Sequence, residues 1–204
     1  MALLLNAGLR GRGLVMYIFL LPLAISDLAA GIVWSSIFQQ QGYLNTLLQK
    51  VGLLHSPFIW IDPRHTSLLL LTVVVAELWR STSLVMVILF AGLNAIPAEY
   101  LEAAEVFGAS PLKRLRHVVL PMLKPSIQVA MVLRVVLAFE AFSTVIAITG
   151  SSTTVLAEQA YRYQTTYQDR GVAAAYAFVV LALSLVSAGL LFRLLRTPRE
   201  RLPR

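Results

Sequence analysis

The most informative part of the chain lies between two long apolar segments. Residues 94–121 read NAIPAEYLEAAEVFGASPLKRLRHVVLP. Pro97 can open a helix, the ten residues after it are rich in helix formers, and Gly108 can end that helix in the left-handed conformation. Ser110 then caps a second short helix that starts at Pro111 and stops at the closing Leu-Pro pair. The stretch therefore predicts a compact helix–turn–helix, which is more structure than an idle linker needs.

On both sides of this stretch, the chain contains segments long enough to cross a bilayer, which takes about 20 apolar residues. Four such segments cover residues 14–38, 67–93, 126–149 and 171–195. The composition agrees, because 58% of the 204 residues are hydrophobic and only 13% are charged, whereas a soluble domain averages about 25% charged residues. The mean hydropathy is +0.75. We expect an all-α, polytopic membrane helix bundle that forms one transmembrane domain over residues 1–204.

Several function classes are excluded by residues that the chain lacks. It contains no cysteine, and its three histidines form neither an HExxH motif nor a close ligand cluster. We therefore expect no metal, no cofactor and no catalytic residues. The phosphate-binding sequence G-x4-G-K-[ST] is also missing, so the chain itself should not hydrolyse ATP. The net charge of +7 is spread over the flanks of apolar segments and forms no single basic face, which argues against nucleic acid as a partner.

The distribution of lysine and arginine predicts the orientation in the membrane. Eleven of these residues fall on the side of residues 94–125 and both termini, and four fall on the side of residues 39–66 and 150–170. The richer side is assigned to the cytoplasm. Residues 1–9 are apolar but too short to span, so we interpret them as the tail of a helix whose start is absent, in a truncated chain.

An amphipathic helix is expected in the external stretch, where Leu44, Leu47, Leu48 and Val51 recur at helical spacing. Such a helix would lie either in the membrane interface or across the ends of the bundle. Tyr43 and Trp60 nearby suit an aromatic belt at the membrane surface.

The loop sequence resembles the EAA signature of ABC importer permeases, EAA-x3-G-x9-(I/V)-x-LP. The matching residues are Glu102, Ala103, Ala104, Gly108, Val118, Leu120 and Pro121. Over residues 4–196 the chain is similar to the carbohydrate-uptake branch, the MalF and UgpA type of permease subunit. The resemblance implies a MetI-like permease core that lacks its first one to two helices, with residues 1–9 at the end of the second.

The same resemblance implies a function and a set of partners. The chain would be the permease subunit of a binding-protein-dependent importer for a sugar or sugar-like solute, in the plasma (inner) membrane of a bacterium or archaeon. Its partners would be a homodimer of ABC ATPase subunits, a second homologous permease subunit, an external solute-binding protein and membrane lipid. An ion-coupled secondary transporter or channel, with Asp27 and Glu77 serving ion coupling, is the alternative; such a carrier has no use for an ATPase-docking loop.

The resemblance further implies that the loop helix docks into a groove on the ATPase as a coupling helix. Tyr100, Leu101, Ala104 and Phe107 would form the apolar stripe for that groove. Glu102 and Glu105 would accept hydrogen bonds from the partner, or Glu102 simply solvates a loop helix. The implied coupling residues are Glu102, Ala103, Ala104, Phe107, Gly108, Leu120 and Pro121.

Ionisable residues inside the apolar segments need a structural or functional explanation, because placing a charge near the bilayer centre costs about 2.5 to 3.5 kcal/mol of free energy. Glu77 and Arg80 are three residues apart on one helix and can neutralise each other. One interpretation is a polar solute path, lined by Glu77, Trp79, Arg80, Ser81, Arg134 and Glu140. The other is interhelical ion pairing that fixes the packing. His117, in the basic loop, is interpreted as a surface residue.

Overall fold

The computed structural model describes residues 12–150, 152 and 154–195. Within them the chain forms α-helices and no strand, so the predicted all-α fold is confirmed. The α-helices are α1 (Arg12–Ala24), α2 (Asp27–Phe38), α3 (Tyr43–Lys50), α4 (Thr66–Asn94), α5 (Ala98–Val106), α6 (Pro111–Arg114), α7 (Leu120–Phe139), α8 (Ser143–Thr149), α9 (Leu156–Thr165) and α10 (Arg170–Leu194). The apolar stretch 1–9 and the arginines after residue 195 lie outside the described residues.

Three helical runs are long and apolar enough to cross a membrane. They are Thr66–Asn94, Pro111–Phe139 and Arg170–Leu194, and a fourth is added if α1 and the bent segment after it count as one span. Helices α4 and α10 lie over the second and fourth predicted spans. No membrane-side assignment follows from these lengths, so the predicted orientation stays a prediction.

The first predicted span, residues 14–38, is not one helix. Helix α1 stops at Ala24, and α2 starts at Asp27 after a break at Ile25 and Ser26. The Ser26 hydroxyl accepts a hydrogen bond from the Ala29 backbone N–H at 3.2 Å, as an N-cap residue does. The predicted span did not include this break, because the Ser26 cap lies inside an apolar run, where it is easily overlooked.

The third predicted span, residues 126–149, is also divided. The helical run that contains its first part begins earlier, at Pro111, and ends at Phe139. A tight turn follows, in which the Phe142 N–H donates to the Glu140 carbonyl at 2.7 Å. The short helix α8 then begins at Ser143. Residues 140–142 contain neither glycine nor proline, so the break follows from the tertiary packing of α8.

The chain divides into two compact units. Of the described residues, the first unit takes in 12–20, 82–136 and 185–195, and the second unit takes in 21–81 and 137–184. In the second unit, α2 and α8 approach closely because Gly31 has no side chain. A Cβ added at Gly31 would lie 2.6 Å from the Ala147 Cβ and 3.1 Å from the Thr144 Cα. Beside this crossing lies an apolar cluster of Val73, Ala76, Val145 and Ile148.

The stretch around α3 in the second unit is organised by Asn45, which is 1% exposed. Its side-chain amide donates to the carbonyls of Gln40 and Phe58, and its carbonyl accepts from the Phe58 N–H and the Trp60 indole at 3.2 and 3.0 Å. The helix was predicted, but its buried face includes this polar residue. Trp60 therefore serves packing here, since its indole N–H is engaged inside the fold.

The Gly31 crossing predicts that Gly31→Leu destabilises the protein by about 1–3 kcal/mol, because the overpacked contact involves backbone and a rigid Cβ. Thermal unfolding of the purified protein in detergent measures the effect. Gly13→Leu is the matched control, since a Cβ at Gly13 meets no atom within 4 Å. Equal midpoints for the two variants would contradict the close crossing.

Candidate functional site

The loop with the EAA-like sequence forms a helical hairpin, residues 98–114, which we call the loop hairpin. Its first helix, α5, begins after Pro97, as predicted, and ends in a left-handed glycine, since Gly108 has φ +74°. The Ala109 N–H donates to the Ala104 carbonyl at 3.0 Å, and the Gly108 N–H donates to the Glu105 carbonyl at 2.8 Å. These two bonds form a Schellman motif, which satisfies the free carbonyls of the helix end.

A salt bridge connects the two helices of the loop hairpin. The Arg114 Nη1 atom lies 2.7 Å from the Glu105 Oε2 atom. The expectation that Glu105 offers its carboxylate to a partner protein stays a prediction, and within the hairpin one of its two oxygens is bound to Arg114. The bridge is partly exposed, so its contribution is small, about 0–1 kcal/mol, and it adds one contact between α5 and α6.

The loop hairpin continues directly into a membrane-length helix. The predicted stop at Leu120-Pro121 is wrong, because both residues lie inside the run from Pro111 to Phe139. A π-helical turn over Leu115–Val119 precedes them. Proline removes one backbone donor and crowds the carbonyl four residues earlier, and a widened π turn at that place accommodates both defects.

An apolar base holds the loop hairpin against the rest of the first unit. Leu93, Val119 and Leu123 are buried there, and Leu101 and Leu115 pack against them. Leu101 and the half-buried Ala104 thus face inward, so the stripe predicted from Tyr100, Leu101, Ala104 and Phe107 does not form one outward face. The inward pair anchors the hairpin.

The outward face of the loop hairpin is apolar and open. The exposed side-chain fractions are 54% for Tyr100, 86% for Val106, 89% for Phe107 and 73% for Leu112. Ala103 lies on this face too, because residues 100, 103, 106 and 107 share one side of a helix. Val106 and Leu112 were missed in the sequence, because no helical repeat links them to the predicted stripe.

The expected coupling residues fall into two groups. Glu102, Ala103, Phe107 and Gly108 are exposed on the loop hairpin, and Ala104 is half-buried. Leu120 and Pro121 lie beyond the π turn, at the start of α7, and are also exposed.

A cluster of three charged side chains lies in the second unit. The Arg80 guanidinium forms an ion pair with the Asp27 carboxylate of α2 and lies 3.7 Å from a Glu77 carboxylate oxygen. The pairing of Glu77 with Arg80 was predicted, whereas the pairing of Arg80 with Asp27 was not. Arg80 and Glu77 are 20% and 13% exposed, and Asp27 is 49% exposed. The cluster therefore neutralises a poorly hydrated arginine with two carboxylates.

The remaining candidate path residues are distributed between the units. Trp79 packs edge-on against Trp34, with ring centroids 5.9 Å apart, and the Ser81 hydroxyl donates to the Leu78 carbonyl at 3.1 Å. Glu140 is exposed at the break between α7 and α8. Arg134 belongs to the first unit, where it lines an apolar cavity of about 200 Å³. Within the described residues, no three acidic, histidine or cysteine side chains are grouped as metal ligands.

These features define a class of protein: a multi-pass helical membrane protein that carries a braced hairpin with an apolar outward face in the loop before one of its long apolar helices. The family model that matches residues 1–199 is described as the binding-protein-dependent transport system inner membrane component. The chain belongs to this family.

Individual relatives are named as sugar permeases. The chain is 32% identical to the trehalose/maltose transport system permease protein MalF of Thermococcus litoralis, over 90% of this chain and 62% of the relative. It is 31% identical to the sulfoquinovosyl glycerol transport system permease protein SmoG of Agrobacterium fabrum, over 87% and 58%. It is 33% identical to the trehalose transport system permease protein SugA of Mycobacterium tuberculosis, over 92% and 59%. The chain thus spans about three fifths of the length of these relatives.

A solved structure shares the fold. A chain from the crystal structure of a bacterial ABC transporter, involved in the import of the acidic polysaccharide alginate, superposes with a TM-score of 0.82 at 21% identity. The match covers 98% of this chain and 71% of that one.

The charged cluster predicts unequal effects for its members. Arg80→Met should lower stability by about 3 kcal/mol, because the poorly hydrated Glu77 carboxylate loses its neighbouring cation. Asp27→Asn should cost less than about 1 kcal/mol, since Asp27 is half in contact with solvent. Thermal unfolding in detergent measures both, with Arg170→Met at the exposed start of α10 as the control. If Arg80→Met unfolds at the same temperature as the wild type, the charged cluster has no packing role, and the solute-path interpretation remains.

Proposed function

We propose that the chain is a permease subunit of a binding-protein-dependent ABC importer that moves a sugar or sugar-like solute. ATP would be hydrolysed by two ABC ATPase subunits, and the chain itself would catalyse no reaction. A second homologous permease subunit and an external solute-binding protein would complete the complex. The names of the relatives support a sugar as the transported solute. The family description supports a binding protein as a partner and the inner membrane as the location.

The observation that carries the proposal is the outward face of the loop hairpin. Phe107 and Val106 expose nearly their whole side chains on an element that is otherwise locked by the Schellman turn and the bridge from Glu105 to Arg114. Large apolar side chains on a rigid, protruding element are typical anchors for a protein interface. A cytoplasmic ATPase subunit is the partner that the EAA sequence of this loop implies.

The mechanism follows from the rigidity of this element. When the ATPase subunits close on ATP, the groove that holds Phe107 moves, and the loop hairpin moves with it as one body. Leu101 and Leu115 connect the hairpin to the apolar base, and the backbone of α6 runs through the π turn into α7. The displacement would therefore reach the membrane helices and drive rigid-body rocking between inward-open and outward-open states.

The solute path is proposed along Glu77, Trp79, Arg80, Ser81, Arg134 and Glu140. Trp79 offers an aromatic surface on which a sugar ring can stack, and Ser81 and Glu140 supply hydrogen-bonding groups. Within this path, Glu77 and Arg80 would act mainly by holding their neighbours in place, because the ion pair with Asp27 occupies the guanidinium.

Gly108→Asp tests whether the loop hairpin couples ATPase to transport. A Cβ at Gly108 meets no atom of the chain within 4 Å, so the intramolecular cost is only the positive φ, about 1 kcal/mol. We expect normal abundance in the membrane, loss of solute uptake and loss of the co-purified ATPase. Uptake assays and co-purification measure these outcomes.

The matched control for this substitution is Gly52→Asp. Gly52 has φ +80° and equally open surroundings, so it imposes the same backbone strain away from the loop hairpin. We expect it to retain uptake and the ATPase. Full uptake in Gly108→Asp would contradict the coupling role, and equal loss in both variants would indicate backbone strain as the cause.

Phe107→Ala tests the apolar anchor directly. Because Phe107 is 89% exposed, its truncation should leave the fold intact and weaken ATPase binding at least about thirtyfold, the effect of a hot-spot residue. Phe178→Ala on α10 removes an equally large side chain that is 70% exposed and should leave ATPase binding unchanged. Affinity is measured by titrating purified ATPase onto the permease in detergent.

A further inference from the structure

A groove on helix α10 combines an apolar floor with a cation at one end. Leu185, Val186, Gly189, Leu190 and Arg193 line a depression of about 350 Å³ in the first unit. Four of the five are apolar, and the fifth is a cation at the end of α10. Residues 186, 189, 190 and 193 share one side of the helix, so the apolar floor runs directly up to the guanidinium.

The depression exists because Gly189 has no side chain. A Cβ at this position would meet no atom within 4 Å, so the space above it is open. The walls are exposed as well, at 64% for Leu185, 60% for Val186 and 54% for Leu190. Only 6% of the apolar window of α10 is buried, so the groove opens onto a helix surface suited to contact with lipid.

A second cation lies at the same end of the helix. The Gln128 side chain of α7 donates to the Phe192 carbonyl of α10 at 3.4 Å, which places the two helices side by side next to Arg193. Lys124 is one turn from Gln128 on the same side of α7, about 6 Å along the helix axis. Lys124 and Arg193 are both exposed, and among the described residues no carboxylate forms a salt bridge with either.

We propose that this groove binds one anionic phospholipid, with an acyl chain over Gly189 and the phosphate between Arg193 and Lys124. A guanidinium binds a phosphate through paired hydrogen bonds, and the apolar floor takes the chain attached to it. A free phosphate would leave the apolar floor uncovered. A zwitterionic lipid would gain the same apolar contact but less from two cations, because its net charge is zero.

The test is native mass spectrometry of the full chain, purified from membranes with its bound subunits and stripped of lipid in a neutral detergent. Phosphatidylglycerol, phosphatidylcholine and inorganic phosphate are titrated separately. We expect phosphatidylglycerol to bind at least about fivefold more tightly than phosphatidylcholine, from the contribution of one basic residue to anionic-lipid binding. Inorganic phosphate should not displace it at equal concentration.

Two variants and two matched controls assign the binding to the groove. Gly189→Leu fills the depression and Arg193→Gln removes the cation, and each should weaken phosphatidylglycerol binding at least about fivefold. Arg193→Lys should retain it. Ala177→Leu and Arg170→Gln make the same changes elsewhere on α10 and should bind as the wild type does. Since these sites are exposed, all variants should fold.

Three outcomes would overturn the proposal. Wild-type lipid binding in both Gly189→Leu and Arg193→Gln would exclude the groove. Displacement of the lipid by inorganic phosphate would indicate a simple anion site. Loss of a co-purified permease subunit from Gly189→Leu, without a change in lipid binding, would identify the groove as a protein interface.

Discussion

In the second unit, three helices are joined at Asp27, the first residue of α2, whose carboxylate and backbone carbonyl each contact another helix. In an apolar environment, every backbone group freed by a broken helix needs a partner. Ser26 caps the new helix, the Asp27 carbonyl lies 3.4 Å from the Thr144 hydroxyl that donates to it, and the Asp27 carboxylate binds Arg80. One residue therefore joins α2, α4 and α8, and the close approach at Gly31 follows one turn later on the same helix.

In the first unit, the two faces of the loop hairpin have separate tasks. Leu101 and Ala104 face inward and anchor α5, whereas Val106 and Phe107 face outward and are available to a partner. The side of the helix on which a residue lies determines its task, and the left-handed turn at Gly108 ends the helix directly after the exposed Phe107. Without its inward contacts, the hairpin would move relative to α7 when the ATPase groove moves. Little of the displacement would then reach α7.

The sequence predicted what depends on local chemistry. Helices α4 and α10 follow from long apolar runs, and the end of α5 follows from the glycine at position 108. The breaks at Ser26 and at 140–142 were missed, since one cap is hidden in an apolar run and the other break arises from packing. The continuation through Pro121 was missed because a π turn has no clear sequence signal. The partner of Arg80 lies 53 positions away in the chain, beyond any local pattern.

Two arginines illustrate how surroundings divide roles among identical side chains. Arg80 lies between two carboxylates and is 20% exposed, so its charge is compensated within the second unit. Arg193 is exposed at the end of an open apolar groove, and among the described residues no carboxylate pairs with it. A guanidinium keeps its charge at any physiological pH. The charge of Arg80 is met by Asp27 and Glu77, whereas the exposed Arg193 is available to an anion. In the proposed lipid site, the head group of an anionic phospholipid would supply that anion, and its acyl chain would cover the apolar floor beside it.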